Sequence, residues 1–131
     1  MRLMGIDYGE KRIGIAVSDE AGKFAFPHSV AENRGREIAA KEIKKICEEN
    51  DVKKIILGKS IDYKGQLNPI MKKIELFKAL LEKEIGLPVV YQTETLTTKE
   101  AERLQGKCVK IDASAAALIL RSFLEKENML K

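Results

Sequence analysis

The first eighteen residues constrain the fold of this chain more than any other segment. Residues 2–8 and 11–18 are both apolar and rich in β-branched side chains, and a turn containing Gly9 separates them. This pattern predicts that the chain opens with a β-hairpin. Residues 24–30 follow a second turn and predict a third strand, which Pro27 assigns to the edge of the sheet. We therefore expect an antiparallel three-stranded meander at the N-terminus.

After Asn33 the hydrophobic pattern changes from a strand period to a helical one. The last helix is apolar around most of its circumference, so it must pack against a sheet. The chain is expected to form an α/β fold with a mixed five-stranded sheet, in which parallel strands follow the antiparallel meander and helices cover both faces. The predicted elements are helices over 34–50, about 66–85, a short segment from residue 97, and 113–126, and strands over 52–58 and 89–92.

Composition limits the classes of protein to which this chain can belong. Its 131 residues, 44% hydrophobic and 34% charged, suffice for one buried core, so we predict a single domain over residues 1–131. The net charge of +4 permits a polyanionic partner without requiring one. Cys47 and Cys108 form no CxxC motif, no signal-peptide pattern is present, and the longest apolar run, 115–120, is too short to span a bilayer. We expect a cytoplasmic protein that does not associate with membranes, with both cysteines as packing residues.

Three carboxylates lie at the ends of predicted elements. Asp7 ends an apolar strand, where an unpaired carboxylate is costly to bury, although Asp before Gly is also common in turns. Glu94 follows a buried strand, at the end where α/β sheets place their functional sites. The alternative interpretation is a solvated glutamate in a loop. Asp112 immediately precedes the last predicted helix, and the alternative interpretation is that it is the N-cap of that helix. Together they are the hard oxygen ligands that Mg²⁺ or Mn²⁺ prefers.

The segment from Gly5 to Asp19 resembles the opening motif of the YqgF (RuvX) family of ribonuclease-H-like proteins. The resemblance covers essentially the whole chain, and it continues through Leu57-Gly58, Asp62, Gly65, 86–90, Glu94, 96–98 and 112–120. It implies a ribonuclease-H-like fold and a metal-dependent endonuclease. The substrates that the resemblance implies are precursor ribosomal RNA, including pre-16S rRNA, and branched DNA such as Holliday junctions.

The resemblance also implies roles for individual residues. Asp7, Glu94 and Asp112 fall on the acidic positions of the family, which implies that they bind Mg²⁺ or Mn²⁺ and are catalytic. Two divalent ions held in this way can activate water and stabilise the leaving oxygen of a phosphodiester. This chain departs from the family pattern at Thr93 and Thr95, where an acid and an arginine are usual, and at Lys59-Ser60, where Leu-Pro is usual. Because Thr95 stands in place of that arginine, this position supplies no cation to bind a phosphate.

Several basic residues in predicted turns or beside sheet ends are candidates for phosphate contacts, with a solvated surface as the competing interpretation for each. The candidates are Lys11, Arg12, Lys59, Lys64 and Lys107. His28, the single histidine, is expected to be structural and to lie on a strand edge. The alternatives to a nuclease are a catalytically weak nucleic-acid-binding protein and a nucleotide hydrolase. The length of the chain, which suffices for one domain, argues against the nucleotide hydrolase. We expect either a monomer or a homodimer.

Overall fold

The N-terminal hairpin and the alternating elements form as predicted. In this computed structural model, residues 1–60, 69–94 and 111–129 are described. The elements are β1 Arg2–Tyr8, β2 Arg12–Ser18, β3 Ala25–Glu32, α1 Arg36–Glu49, β4 Val52–Ser60, α2 Met71–Ile85, β5 Val89–Glu94 and α3 Ile111–Met129.

The five strands form one mixed sheet in the order β3-β2-β1-β4-β5. The meander β1-β2-β3 is antiparallel, whereas β4 pairs in parallel with β1 and with β5. The predicted edge position of β3 and the predicted mixed sheet are both confirmed. Because β1, β4 and β5 run in one direction, their carboxyl ends meet at the same edge of the sheet.

The face of the sheet under α1 and α2 is filled by large side chains. Ile6, Ile55 and Leu57 project from the strands, while Phe77 and Leu81 project from α2, and all five are fully buried. These residues occupy alternate strand positions and helical positions at i and i+4 spacing, as the hydrophobic pattern predicts.

The opposite face is covered by α3, which packs closely against β1 at Gly5. A Cβ atom added to Gly5 would lie 2.7 Å from the carbonyl oxygen of Ala116 and 2.8 Å from Cβ of Leu120. The backbone of α3 therefore approaches β1 more closely than any residue with a side chain would allow. Ala16 on β2 is also fully buried in this layer. The predicted helices on both faces of the sheet are confirmed.

Several element boundaries differ from the sequence prediction, and three of them bear on the candidate site or on a predicted helix start. The predicted start of α2 near residue 66 is wrong, because residues 69 and 70 form a turn and the helix begins at Met71. Pro69 is consistent with the later start, since proline lacks the backbone N–H that a helix interior requires. Strand β5 continues to Glu94, and α3 begins at Ile111, so Asp112 lies in the first helical turn. The short helix predicted from residue 97 lies outside the described residues.

Gly86 ends α2 in the left-handed conformation, with φ of 75°, as the predicted Gly-then-Pro stop requires. The side chain of Asp19 closes the turn between β2 and β3 by accepting hydrogen bonds from the backbone N–H groups of Lys23 and Phe24. These hydrogen bonds, that of Phe24 first, lower the pKa of the Asp19 carboxyl. Within the described residues, no helix is both long enough and apolar enough to cross a bilayer.

Candidate functional site

Asp7 lies half-buried in the central strand β1, near its carboxyl end. Across the antiparallel pair, Asp7 is opposite Gly14 of β2. Across the parallel pair, Ile6 is opposite Leu57, so Gly58 occupies the next position of β4, level with Asp7. The positions level with Asp7 on both neighbouring strands are therefore glycines.

The same is true along β1 itself. Positions two residues apart share a face of the sheet, and the residues two before and two after Asp7 are Gly5 and Gly9. The space over Gly5 is filled by the backbone of α3, and the space over Gly9 by the carbonyl oxygen of Arg12. Of these four glycines, Gly14 and Gly58 are therefore the two beside which a ligand or a nucleic-acid backbone could approach Asp7. We call the surface formed by Gly14 and Gly58 the glycine basin.

Helix α3 carries Asp112 toward this basin. Ala116 of α3 lies against Gly5 of β1. Nζ of Lys54, near the start of β4, lies 5.1 Å from the centroid of the Phe123 ring. The N-terminal end of α3 therefore points to the edge of the sheet at which β1 ends. Residue 112 precedes Ala116 by four residues, about 6 Å of helix, while Asp7 follows Gly5 by two residues, about 7 Å of strand. The first turn of α3 is consequently level with Asp7.

Glu94 lies at the same edge of the sheet. It pairs with Ser60, while Gln92 pairs with Gly58, so Glu94 is two residues beyond the level of Asp7 and two strands away from it. Glu94 belongs to the same alternate set of β5 positions as Val90, which packs against the α3 cluster.

The backbone thus gathers the three predicted carboxylate positions at one sheet edge, on the face of α3. Of the three side chains, only that of Asp7 is described, so the ligand set stays a prediction. Among the side chains that the structure describes, no three His, Cys, Asp or Glu residues gather closely enough to hold a metal ion.

The predicted phosphate-binding residues separate by face. Lys11 and Arg12 are exposed at the hairpin turn. Arg12 lies two residues before Gly14 on β2, so it projects to the same face of the sheet as Asp7. Lys59 is half-buried and shares the alternation of Leu57, on the α1–α2 face. Lys64 and Lys107 lie outside the described residues. Arg12 is therefore the described cation best placed beside the basin.

Asn33 is a residue that sequence reasoning missed. Its backbone N–H donates to the carbonyl of Lys11 at 2.9 Å, and its side-chain amide donates to the carbonyl of Gly9 at 2.9 Å. Its side-chain oxygen accepts from the N–H of Gly35 at 3.2 Å. Asn33 thus fastens the turn after Asp7 to the start of α1. Because Gly9 lies 24 residues away in sequence, no local pattern could have indicated this role.

Two further sequence interpretations concern structural residues. His28 is exposed on the edge strand β3, where its Nδ1 lies 2.8 Å from Oγ of Ser29. Cys47 is buried against Met4, and burial raises the pKa of its thiol to about 11. The predicted edge position of His28 and the packing role of Cys47 are confirmed, and Cys108 lies outside the described residues.

Comparison with known proteins gives a family and a fold. The family model RuvX, described as Holliday junction resolvase, matches residues 1–126. A protein of Syntrophomonas wolfei, named as a candidate pre-16S rRNA nuclease, is 37% identical over 100% of this chain and 99% of its own length. A protein of Dictyoglomus thermophilum with the same name is 36% identical over 98% and 99%.

Solved structures agree on the fold. RuvC of Thermus thermophilus superposes with a TM-score of 0.66 at 13% identity, covering 98% of this chain and 97% of RuvC. The fowlpox virus resolvase, solved with Holliday junction DNA, superposes with a TM-score of 0.61 at 15% identity and covers both chains fully, 100% of each. The fold is therefore ribonuclease-H-like, as the sequence resemblance implies.

Proposed function

This chain belongs to the RuvX family of Holliday junction resolvases, and we propose that it is a divalent-metal-dependent endonuclease of structured nucleic acid. The observation that carries the proposal is the placement of Asp7 in the glycine basin, level with the first turn of α3. A half-buried carboxylate with a glycine level with it on each neighbouring strand is suited to a ligand that must approach the backbone closely.

The donor set fits Mg²⁺ or Mn²⁺, because these ions prefer carboxylate oxygens and Asp7 is fixed by a strand paired on both sides. We propose that Asp7, Glu94 and Asp112 hold the metal. When bound, divalent ions lower the pKa of an attacking water and neutralise charge on the phosphodiester.

The chain's own residues supply binding and orientation. Arg12, exposed on the Asp7 face, is placed to bind a phosphate oxygen of the substrate. The absence of side chains at Gly14 and Gly58 lets the sugar-phosphate backbone reach the Asp7 carboxylate. Asn33 holds the turn that carries Lys11 in a fixed position. Positioning of this kind lowers the entropic cost of reaching the reactive geometry.

Precursor 16S rRNA is the substrate we favour, because the curated relatives that match the whole chain carry that name. A four-way DNA junction is the second candidate, supported by the family description and by the fold of the junction-bound resolvase. Both substrates are polyanions, which the net charge of +4 accommodates. A cytoplasmic location belongs to this proposal, since precursor rRNA is found there in bacteria.

Substitution of Asp112 tests the proposal, because Asn has nearly the size of Asp but supplies no charge to a cation. We expect Asp112→Asn to lose cleavage of a labelled pre-16S rRNA fragment and of a four-way junction in Mn²⁺, while its melting temperature is maintained. Asp51→Asn is the matched control, since Asp51 is an exposed aspartate at the other end of the sheet. Cleavage by Asp112→Asn at the parental rate would remove Asp112 from the site.

A further inference from the structure

A groove lies between the start of α1 and the exposed side of α2, and we call it the α1–α2 groove. It has a volume of about 610 Å³, and one wall is formed by Tyr8, the residue after Asp7. Its apolar residues include Ile38 and Leu76, which are 46% and 55% exposed. Exposed apolar side chains gathered in one concave surface are typical of a binding site.

The rim of this groove is basic. Arg34, Arg36 and Lys73 line it, together with one carboxylate, Glu37. An apolar floor with a cationic rim matches a nucleotide, which combines an apolar base face with a phosphate. It matches an acidic, single-stranded nucleic acid better than a duplex, whose bases are stacked and cannot reach the floor.

The cations of the rim are available for a phosphate. Arg34 pairs with Glu32 at 3.1 Å and Lys73 pairs with Glu10 at 3.2 Å, and all four side chains are more than half exposed. Exposed pairs of this kind contribute little to stability, so a phosphate can replace the carboxylate. Arg36 forms no ion pair within residues 1–60, 69–94 and 111–129.

The α1–α2 groove is continuous with the hairpin turn beside the candidate site. A second depression, of about 600 Å³, is lined by Lys11, Arg12 and two carboxylates, Glu10 and Glu32, and it shares Asn33 and Arg34 with the groove. Glu10 and Glu32 are the carboxylates that pair with Lys73 and Arg34, so phosphates that replace them could follow the cations over the turn and into the groove.

We infer that the α1–α2 groove binds an unpaired nucleotide of a single-stranded segment adjoining the cleaved bond. Its base packs on Ile38 and Leu76, and its phosphate binds Arg36. This inference rests on the proposed nuclease function, and it names a feature of the substrate: a structured nucleic acid with a single-stranded extension. The groove lies on the opposite face of the sheet from the glycine basin, so it selects substrate without entering the reaction.

The test uses the full chain and measures binding without metal. Fluorescence anisotropy in EDTA compares a blunt RNA hairpin with the same hairpin carrying an extension of about six nucleotides. The variants are Arg36→Ala and Leu76→Ser, each with its fold checked by thermal melting. The control, Lys44→Ala, removes an exposed cation from the same helix, two turns from Arg36, that has no ion pair in the described part of the chain.

We expect the parent to bind the extended hairpin more tightly than the blunt one. Arg36→Ala should weaken binding of the extended hairpin about five- to tenfold, the effect of losing one charged hydrogen bond, and leave blunt binding unchanged. Leu76→Ser should weaken extended binding about threefold by removing apolar contact. Lys44→Ala should change binding of both hairpins by less than about twofold. Equal affinity of the parent for both hairpins, or equal effects of Arg36→Ala and Lys44→Ala, would overturn the inference.

Cleavage assays on the same two hairpins separate this inference from the proposed function. If the parent cleaves in Mn²⁺ but Arg36→Ala binds the extension as tightly as the parent, the groove assignment is wrong and the nuclease assignment stands. If binding of the extension depends on Arg36 while no substrate is cleaved, the groove assignment stands and the nuclease assignment fails.

Discussion

The two faces of the sheet differ in how closely a helix backbone approaches β1, and the difference explains where the candidate site lies. Under α1 and α2, large side chains such as Leu57 and Phe77 fill the space between sheet and helices. Under α3, Gly5 and Ala116 bring the helix backbone against β1. The first face provides most of the buried volume, whereas the second fixes the position of a helix terminus relative to a strand carboxylate.

This comparison separates stability from placement of the site. Large side chains can shift by tenths of an ångström and still exclude water. A helix that rests on a glycine has no such freedom, because its carbonyl oxygen and Cβ atoms already contact the strand. We therefore expect substitutions on the α1–α2 face to change mainly the free energy of unfolding, and substitutions on the α3 face to change mainly cleavage.

The largest loss of stability is expected for Leu81→Ala on the α1–α2 face. Leu81 is fully buried in the half of α2 that lies away from the carboxyl edge of the sheet. The cavity should cost about 2–5 kcal/mol of unfolding free energy, measured by urea denaturation. Cleavage per folded molecule should stay within about twofold of the parent, because α3 and Asp7 are undisturbed. A large loss of cleavage with folding retained would contradict the separation of the two faces.

Gly5→Ala should reduce cleavage more than it reduces the free energy of unfolding. The added Cβ lies under 3 Å from Ala116 and Leu120, so α3 must move away from β1. We expect a cost of about 1–3 kcal/mol from overpacking. Cleavage per folded molecule should fall by about tenfold or more, because displacement of residue 112 by about 1 Å is enough to disrupt a reactive geometry. Parental cleavage by folded Gly5→Ala would show that contact between α3 and β1 does not position the site.

Ile55 and Ile56 offer a matched pair within one strand. Both are fully buried, but Ile55 packs under α1 and α2, and Ile56 packs under α3. Ile55→Val and Ile56→Val should each cost about 0.5–1.5 kcal/mol in urea denaturation. Only Ile56→Val should lower cleavage per folded molecule. Equal cleavage by the two variants would weaken the distinction between the faces.

The smallest effect concerns Cys47 on the α1–α2 face, measured in a Cys108→Ser background. Burial raises the folded pKa of this thiol from its ordinary value of 9.0 to about 11, so the folded state retains a proton that the unfolded state loses. The resulting stability is complete below pH 9 and is lost as the pH rises toward 11. Denaturation midpoints should fall more steeply above pH 9 than in Cys47→Ala, and native Cys47 should resist alkylation near pH 8. Rapid alkylation of the folded protein would contradict its buried position.

Much of the fold could be predicted because its signals are local. Alternating apolar residues gave β1 and β2, Pro27 gave the sheet edge, and Gly86 gave the end of α2. Helix periods likewise located α1 and most of α3. Each of these signals acts within a few residues of the chain.

The site geometry could not be predicted in the same way, because it depends on pairing between distant residues. Gly14 and Gly58 stand beside Asp7 only through the register of β2 and β4. Asn33 bonds to Gly9 across the connection to α1, and the α1–α2 groove requires the packing of two helices. Residue patterns could nominate Asp7, Glu94 and Asp112 one at a time, but only the sheet order brings their backbone positions to one edge.

The most direct test of the proposed metal centre is calorimetric titration of Mn²⁺ into the parent, Asp7→Asn and the control Asp51→Asn. Asp7→Asn keeps the size of the side chain and removes the charge that a divalent ion requires. We expect the parent and Asp51→Asn to bind Mn²⁺ with the same affinity, and Asp7→Asn to bind at least about tenfold more weakly, the factor that corresponds to 1.4 kcal/mol. Binding of Mn²⁺ by folded Asp7→Asn as tightly as by the parent would contradict the assignment of Asp7 as a ligand.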